Sequence, residues 1–362
     1  MTYISDIQTA LPDYFYSQKD LTSFYLKTTD NESLQRKIKI VSSKSGIESR
    51  YSVLKDFASQ PIDFEFFNKT ATLLPEPSLT KRMQFYKQYA LPLSVKAIKK
   101  LHNFNSIKHA ITDVITVTCT GLFAPGLEIE LINALELKPN INRYSVNFMG
   151  CNAAIIALKQ ADAICKNNPE ANVLVVCTEL CTLHFQKQHS DDYLLSNLIF
   201  GDGAAAVLLS SKPTDNCYKF NVQITHFNSL VLPNGYKDMA WELSETGFIM
   251  NLTSYVSDLI KQNIKPMLDG LKLNTLDIQK WAIHPGGKRI VDEFAEALML
   301  NQSQLTETYN VLKNYGNMSS PTVLFVLKQI LDNNKTSERG NKIFATAFGP
   351  GISIETMQLE YV

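Results

Sequence analysis

The chain reads as a layered α/β protein, and three observations predict it. Strand-like and helix-like segments alternate over most of its length. The same grammar restarts after a polar, proline-containing stretch at 212–216. Each half also closes on strand-forming residues, 203–210 in the first and 342–359 in the second, which points to an internal duplication. A length of 362 residues exceeds one average domain and accommodates two such halves, 1–212 and 213–362.

In chain order, charged helices are predicted around 21–40 and 85–100. The segment 55–77, with its prolines and aromatics, reads as a surface excursion. DVITVT at 113–118 is a β-branched run suited to a buried strand. Gly121, Pro125 and Gly126 interrupt it, and 127–137 has helical periodicity. A second short strand at 144–148 ends in Met149–Gly150. After it, 152–167 reads as a helix of about four turns with small residues facing inward. Strands follow at 172–177 and 203–210. The second half has strands at 220–224 and 280–283, one long helix at 248–268, helices at 290–298 and 320–331, and closing strands at 342–348 and 353–359.

Composition narrows the function classes. Hydrophobic residues make up 45% and charged residues 19%, as in a soluble globular protein. Thirty-five basic residues balance 35 acidic ones, so a nucleic acid or an anionic membrane gains no electrostatic support. The apolar runs at 172–177 and 204–209 fall far short of the roughly 20 residues a membrane helix needs. MTYISDIQTALPDY lacks a basic region followed by an apolar core, so no signal peptide is expected and the cytoplasm is the expected location. Cysteines stand at 119, 151, 165, 177, 181 and 217, without a CxxC pair or zinc spacing. No metal is expected, and most of these thiols should be ordinary buried ones.

VNFMGCNAAI, residues 146–155, raises a sharper question. Cys151 is either a small hydrophobe filling a buried turn or a thiolate at the mouth of a helix. Gly150 permits a tight turn there, and a helix N-terminus stabilises an anion and lowers a thiol pKa. His284 leaves a predicted strand in WAIHPGGKRI. It is either a strand-end histidine bonded to a nearby carbonyl or a group that acts on a substrate. Asn317 in NYGNMSSP is either part of a turn whose serines cap the next helix or an amide donor.

One task fits all three. A cysteine takes an acyl group from a thioester. Histidine and asparagine N–H groups then donate to the thioester oxygen of a second substrate and stabilise the enolate left by loss of CO2. The enolate carbon attacks the acyl-cysteine and forms a carbon–carbon bond. Neither metal nor redox cofactor is needed, and His284 beside Cys151 would hold the thiolate in an ion pair.

GCNAAI, VLVVCTEL, IFGDGAAAVLL, AIHPGG, LKNYGNMSSPTVLF and AFGPGISIET occur in the order found in chalcone-synthase-like type III polyketide synthases. The chain resembles that family from about residue 37 to its C-terminus. The resemblance implies a thiolase-like fold of two duplicated αβαβα halves in five layers, usually a homodimer. It also implies an acyltransferase that loads an acyl-CoA starter and extends it with malonyl-CoA without a carrier protein. The catalytic cysteine, histidine and asparagine of the family match Cys151, His284 and Asn317. Its two gatekeeping phenylalanines match Phe200 and Phe248, and the loop at 348–351 would shape the cavity floor.

Cavity positions of the family carry Cys119, Cys181, His184, Met239 and Ser319 here. Plant members generally have threonines where Cys119, Cys181 and His184 stand and a glycine near Met239, and VTCTG is more similar to bacterial members. The larger His184 and Met239 would narrow or redirect the chain, favouring a pyrone, resorcinol or phloroglucinol over a flavonoid product. The basic tunnel mouth for CoA matches Lys37 and Lys44, with Ile40 where an arginine is usual. Lys288 and Arg289 would then meet the diphosphate. Glu179 is expected to be a buried acid without a catalytic role. The alternatives are a 3-oxoacyl-acyl-carrier-protein synthase III-like ketosynthase, a hydroxymethylglutaryl-CoA synthase, a Cys/His hydrolase, or a non-catalytic subunit of the same fold. HPGG and GNMSS, in place of HQAN and GN-x-SAAS, favour the polyketide reading.

Overall fold

A computed structural model describes residues 1–362 except 59, 71, 214–219, 221, 234, 253–255, 272 and 334–338. Cys217 therefore lies outside the described residues. The chain begins with β1 (Thr2–Ala10), β2 (Tyr14–Ser17), α1 (Gln18–Leu26), α2 (Glu32–Lys44) and β3 (Ser49–Ser52). It continues through α3 (Leu79–Ile98), α4 (Phe104–Ile107), β4 (Asp113–Thr118), α5 (Leu127–Leu135) and β5 (Asn142–Asn147). Then come α6 (Ala153–Asn167), β6 (Asn172–Leu180), α7 (Asp191–Ile199) and β7 (Asp202–Ser210). The second half holds β8 (Val222–Val231), β9 (Met239–Leu243), β10 (Phe248–Leu252), α8 (Val256–Gly270), β11 (Ile278–Ile283) and α9 (Lys288–Leu298). It ends with α10 (Thr306–Tyr315), α11 (Thr322–Asn333), β12 (Lys342–Gly349) and β13 (Ser353–Tyr361).

Nine strands form one sheet in the order β11-β12-β13-β8-β1-β7-β6-β4-β5. Within it the two halves repeat. In the first, β4 runs parallel to β6, β6 antiparallel to β7, and β7 antiparallel to β1. In the second, β11, β12, β13 and β8 follow the same succession of directions. β1 pairs with β8 and joins them.

Alternation along each strand divides the core into three helix–sheet interfaces. Val173, Val175 and Cys177 of β6 face a central cluster shared with α6, α11 and inner residues of β12 and β13. Leu174 and Val176 face the opposite way, onto α3 and α5. Trp281 and Phe344 lead a third cluster with α8 and α9. Helices outside, sheet, central helices, sheet and helices outside make the α/β thiolase-like fold. The fully buried Ala153, Ala154, Ala157 and Ala161 let α6 sit close between the two sheet halves. Alanine also favours the helix, which stops before Pro169 because the residue preceding a proline avoids the helical region.

Three expectations are corrected. Residues 248–268 are not one helix: β10 pairs with β9 from Phe248↔Leu243 to Leu252↔Met239, and the helix begins at Val256. A hairpin bond to a strand earlier in the chain decided this, which local periodicity does not register. Residues 21–40 hold the end of one helix and most of another, separated at Lys27–Asn31. The 55–77 segment is not a mere surface excursion. Phe57, Phe64, Phe66, Phe67 and Leu73 are buried with Phe24 and Phe185. The Asp56 carboxylate fixes the turn by accepting from the N–H groups of Glu65, Phe66 and Phe67 at 3.2, 2.9 and 2.8 Å.

Candidate active site

Cys151 sits where β5 becomes α6. The turn uses Phe148 at φ +59° and Gly150 at φ +84°, backbone that only glycine adopts freely. Space demands glycine as well, since a Cβ at 150 would lie 2.1 Å from Pro350 Cδ. The Gly150 N–H donates to Cys119 Sγ at 3.0 Å. Asn152 follows as the N-cap residue, so the sulfur lies next to the helix start. Burial nevertheless outweighs that location and pushes the Cys151 thiol up to about 11, with Ser319 and Asn317 opposing.

His284 directly follows β11, and its backbone N–H donates to Thr346 O at 2.8 Å. The ring is 1% exposed, and neither Nδ1 nor Nε2 has a hydrogen-bond partner. Burial drives it down to about 3, so it is neutral. Burial thus disfavours the charged form of each of these two groups.

Asn317 links these two regions. Cys151 Sγ lies 4.0 Å from Asn317 Oδ1, which also accepts from the Ser319 N–H at 2.8 Å. Asn317 Nδ2 donates to the carbonyl of Gly286, two residues past the histidine, at 3.2 Å. That commits one amide hydrogen and leaves the other.

A cavity enclosing about 960 Å³ not filled by atoms, open solvent included, reaches Cys151. Cys119, Cys181, His184, Phe200, Met239, Phe248 and Ser319 all line it. His284 and Asn317, at 1% and 2% exposure, are not part of its wall. Phe248 is 1% exposed and stacks on His184 at 4.2 Å and 9°, which places it on the inner wall rather than at a rim. Met250, opposite Trp241 on the β9–β10 hairpin, is the half-buried residue of that strand on the cavity. His184 is neutral, pushed down to about 3 by burial. Its Nε2 lies 2.8 Å from Thr120 O, and the Phe248 N–H approaches Nδ1 at 3.4 Å.

Sequence reasoning missed Trp241 and Arg50. Trp241 Nε1 donates to Cys119 O at 2.8 Å, and its ring meets His184 and Phe248 edge-on. The alternation Met239, Trp241 in MAWEL was the available signal. Arg50 had none, because its partners are backbone carbonyls 147 and 150 residues away. Glu179 is fully buried beneath the site. It accepts from Ser320 Oγ at 2.6 Å, Thr120 Oγ1 at 2.8 Å and the Cys119 N–H at 2.9 Å, and burial raises its pKa.

The predicted CoA cations are exposed but mostly paired. Lys37 bonds Asp191, Lys288 bonds Asp292 at 2.6 Å, and Arg289 bonds Asp258. Lys44 is exposed, with no ion pair among the described residues. A Cβ on Gly46 would lie 3.1 Å from Lys288 Cδ, so the end of α2 and the start of α9 adjoin. No helix among the described residues is long and apolar enough to cross a membrane. No group of three or more possible metal ligands occurs among them.

Layered fold and a cysteine-centred cavity together define a thiolase-fold protein. Residues 2–213 match the N-terminal domain of chalcone and stilbene synthases, and 223–362 match their C-terminal domain. The chain belongs to the chalcone and stilbene synthase family of type III polyketide synthases, whose members catalyse acyl transfer. Among solved structures, it is similar to PKS-I from the brown alga Ectocarpus siliculosus, with 26% identity and a TM-score of 0.90 over 100% of this chain and 98% of that one. It is also similar to the C-terminal type III polyketide synthase domain of Steely1, a type I/III hybrid from Dictyostelium. There the identity is 25% and the TM-score 0.88, over 100% and 99% of the two chains.

Proposed function

We propose that this enzyme loads an acyl-CoA starter on Cys151 and extends it by decarboxylative condensation with malonyl-CoA. The observation that carries the reading is a buried imidazole with both nitrogens unpartnered, next to an amide that touches the cysteine. Buried polar groups are normally satisfied, and an orphaned one marks a place for a ligand atom.

From the neutral resting pair, Cys151 passes its proton to His284 as the sulfur attacks the thioester. The proton leaves with the CoA thiol. With neither ring nitrogen committed, His284 can offer a lone pair in this step and an N–H in the next. His284 and Asn317 then donate to the malonyl thioester oxygen while CO2 departs and its bonding electrons enter the enolate. The enolate carbon attacks the acyl-cysteine carbonyl, and the released Cys151 thiolate regains a proton.

Lys37, Lys44, Lys288 and Arg289 border the proposed CoA entrance, where a diphosphate would compete with their carboxylate partners. His184, Met239 and Trp241 occupy volume in the cavity and favour a compact pyrone, resorcinol or phloroglucinol. Similarity to bacterial rather than plant members rests on Cys119 alone. Residues 1–212 carry the nucleophile in this reading, and 213–362 carry the donors. β5 lies at the end of the sheet with residues 142–145 exposed, an edge that a second copy would cover in a homodimer. We assign the protein to the cytoplasm.

Incubation with malonyl-CoA and a panel of acyl-CoAs, with products identified by mass spectrometry, tests the reading. Turnover of malonyl-carrier protein but not malonyl-CoA would instead make the enzyme a ketosynthase of the initiating kind.

A further inference from the structure

Arg50 is a cation on the wall of the cavity, 3% exposed, with no ion pair among the described residues. Burial draws its guanidinium down to about 9, against the field of Asp202. The Asp202 carboxylate is itself committed to Val53 N–H, Thr182 N–H and Thr182 Oγ1. Arg50 binds backbone instead. Nη1 donates to Phe200 O at 2.5 Å and Asn197 O at 3.1 Å, and Nε donates to Gln18 Oε1 at 3.1 Å. Gln18 Nε2 in turn donates to Leu198 O at 2.9 Å. Together they satisfy carbonyls at the C-terminal end of α7, where the helix carries partial negative charge.

The stem of Arg50 runs through a slot that glycines keep open. A Cβ at Gly316 would lie 2.8 Å from Arg50 Cδ, and one at Gly201 would lie 3.4 Å from Arg50 Cβ. Those glycines flank the two residues joined across the halves. Phe200 forms an isolated parallel bridge with Asn317, made by Asn317 N–H to Ile199 O and Gly201 N–H to Asn317 O, both 2.9 Å. Arg50 therefore grips one side of the bridge whose other side is Asn317. None of its hydrogen bonds reaches the β5–α6 turn that holds Cys151.

We infer that Arg50 is a positioning residue for Asn317: its Nη1 fixes the Phe200 carbonyl, and the bridge transmits that register to the amide donor while the β5–α6 turn sets the Cys151 backbone. The inference rests on the condensing function proposed above, and it separates two half-reactions. Cys151 acylation should not need Arg50, whereas malonyl decarboxylation should.

The full chain is compared with Arg50→Gln, Arg50→Lys and Gln18→Ala. Cys151 acylation by hexanoyl-CoA is followed by intact-protein mass spectrometry, and CO2 release from malonyl-CoA is measured separately, with melting curves as a folding check. Both Arg50 variants should lose about ten- to a hundredfold in kcat for CO2 release, because neither side chain keeps the rigid Nε–Nη1 pair that holds Gln18 and the two carbonyls together, and a small displacement of a donor is costly. Their acylation rates and malonyl-CoA KM should stay within about threefold of wild type. Gln18→Ala should show the same split, reduced to about three- to tenfold. If Arg50→Gln does not fold, the lysine and Gln18 variants carry the comparison. Unchanged CO2 release, a parallel loss of both half-reactions, or full recovery by lysine overturns the role of Arg50 alone. A wild-type chain that neither acylates nor releases CO2 overturns the condensing function as well.

Discussion

β5 enters α6 through Phe148 at φ +59° and Gly150 at φ +84°, and the chain enters α11 through Gly316 at φ +66° and Ser319 at φ +58°. The two junctions occupy matching places in the repeated halves, each just before a helix of the central layer. Each accepts a non-glycine residue in left-handed backbone, at about 1–3 kcal/mol, within three residues of Cys151 or Asn317. They differ in support. Cys151 follows a six-residue strand paired in parallel with β4. Asn317 has a single bridge, to Phe200 of the other half. Among the described residues, the second half has no strand equivalent to β5, and its amide borrows register from the first. An old repeat can thus diverge by trading a strand for a cross-half contact, which gives the two junctions separate controls.

The largest expected effect tests whether those controls are separate. Cys151→Ala should remove product formation by about a thousandfold or more while malonyl-CoA decarboxylation persists within roughly tenfold. Product formation equal to wild type would end the mechanism. Asn317→Ala should cost about a hundred- to a thousandfold in decarboxylation, the usual loss for one oxyanion donor, and still allow Cys151 to be acylated.

Smaller effects sharpen the comparison through stability. At Gly150, an alanine Cβ would sit 2.1 Å from Pro350 Cδ, and at Gly316 it would sit 2.6 Å from Ile199 O. Each substitution combines left-handed strain with overpacking and should destabilise by about 2–5 kcal/mol, read from urea unfolding. A loss below about 0.5 kcal/mol at either site would mean that its turn is not under the strain argued.

The smallest effect is in the pH dependence. His184 in the first half and His284 in the second are both held near 3, below the unfolded value of about 6.5. A depressed folded pKa gives stability that is present above pH 6.5 and is lost as pH falls toward 3. Asp202, raised to about 6, acts with the opposite sign and loses its contribution as pH rises through 6. His184→Gln should flatten the acid limb of a melting-temperature profile by roughly one proton, and His284→Gln by a similar amount. Identical profiles for wild type and both variants would refute the buried neutral state of the rings.

Much of the site was legible because its residues lie where local grammar breaks. Cys151 follows a glycine before a helix, His284 precedes Pro-Gly-Gly, and Asn317 follows a glycine before serines. The electrostatics were less legible, because helix placement can be read along the chain, whereas burial, which pushes the thiol up and the imidazole down, depends on three packed layers. The carboxylates paired with Lys37 and Arg289 were equally hidden, since Asp191 and Asp258 are remote in sequence from the cations they meet.

By itself, the sequence determined the alternating strands and helices, the duplicated order of the halves and the identity of the three residues at the breaks. Those follow from side-chain periodicity and backbone freedom, which act over a few neighbouring positions. Only the tertiary structure decided that Asn317 meets Cys151, that residues 248–252 form a hairpin strand facing Trp241, and that Arg50 grips the Phe200 segment. The first and last depend on hydrogen bonds between segments far apart in the chain, and no local pattern records which distant carbonyl a buried donor will find; the hairpin depends on cross-strand pairing that helical periodicity does not register.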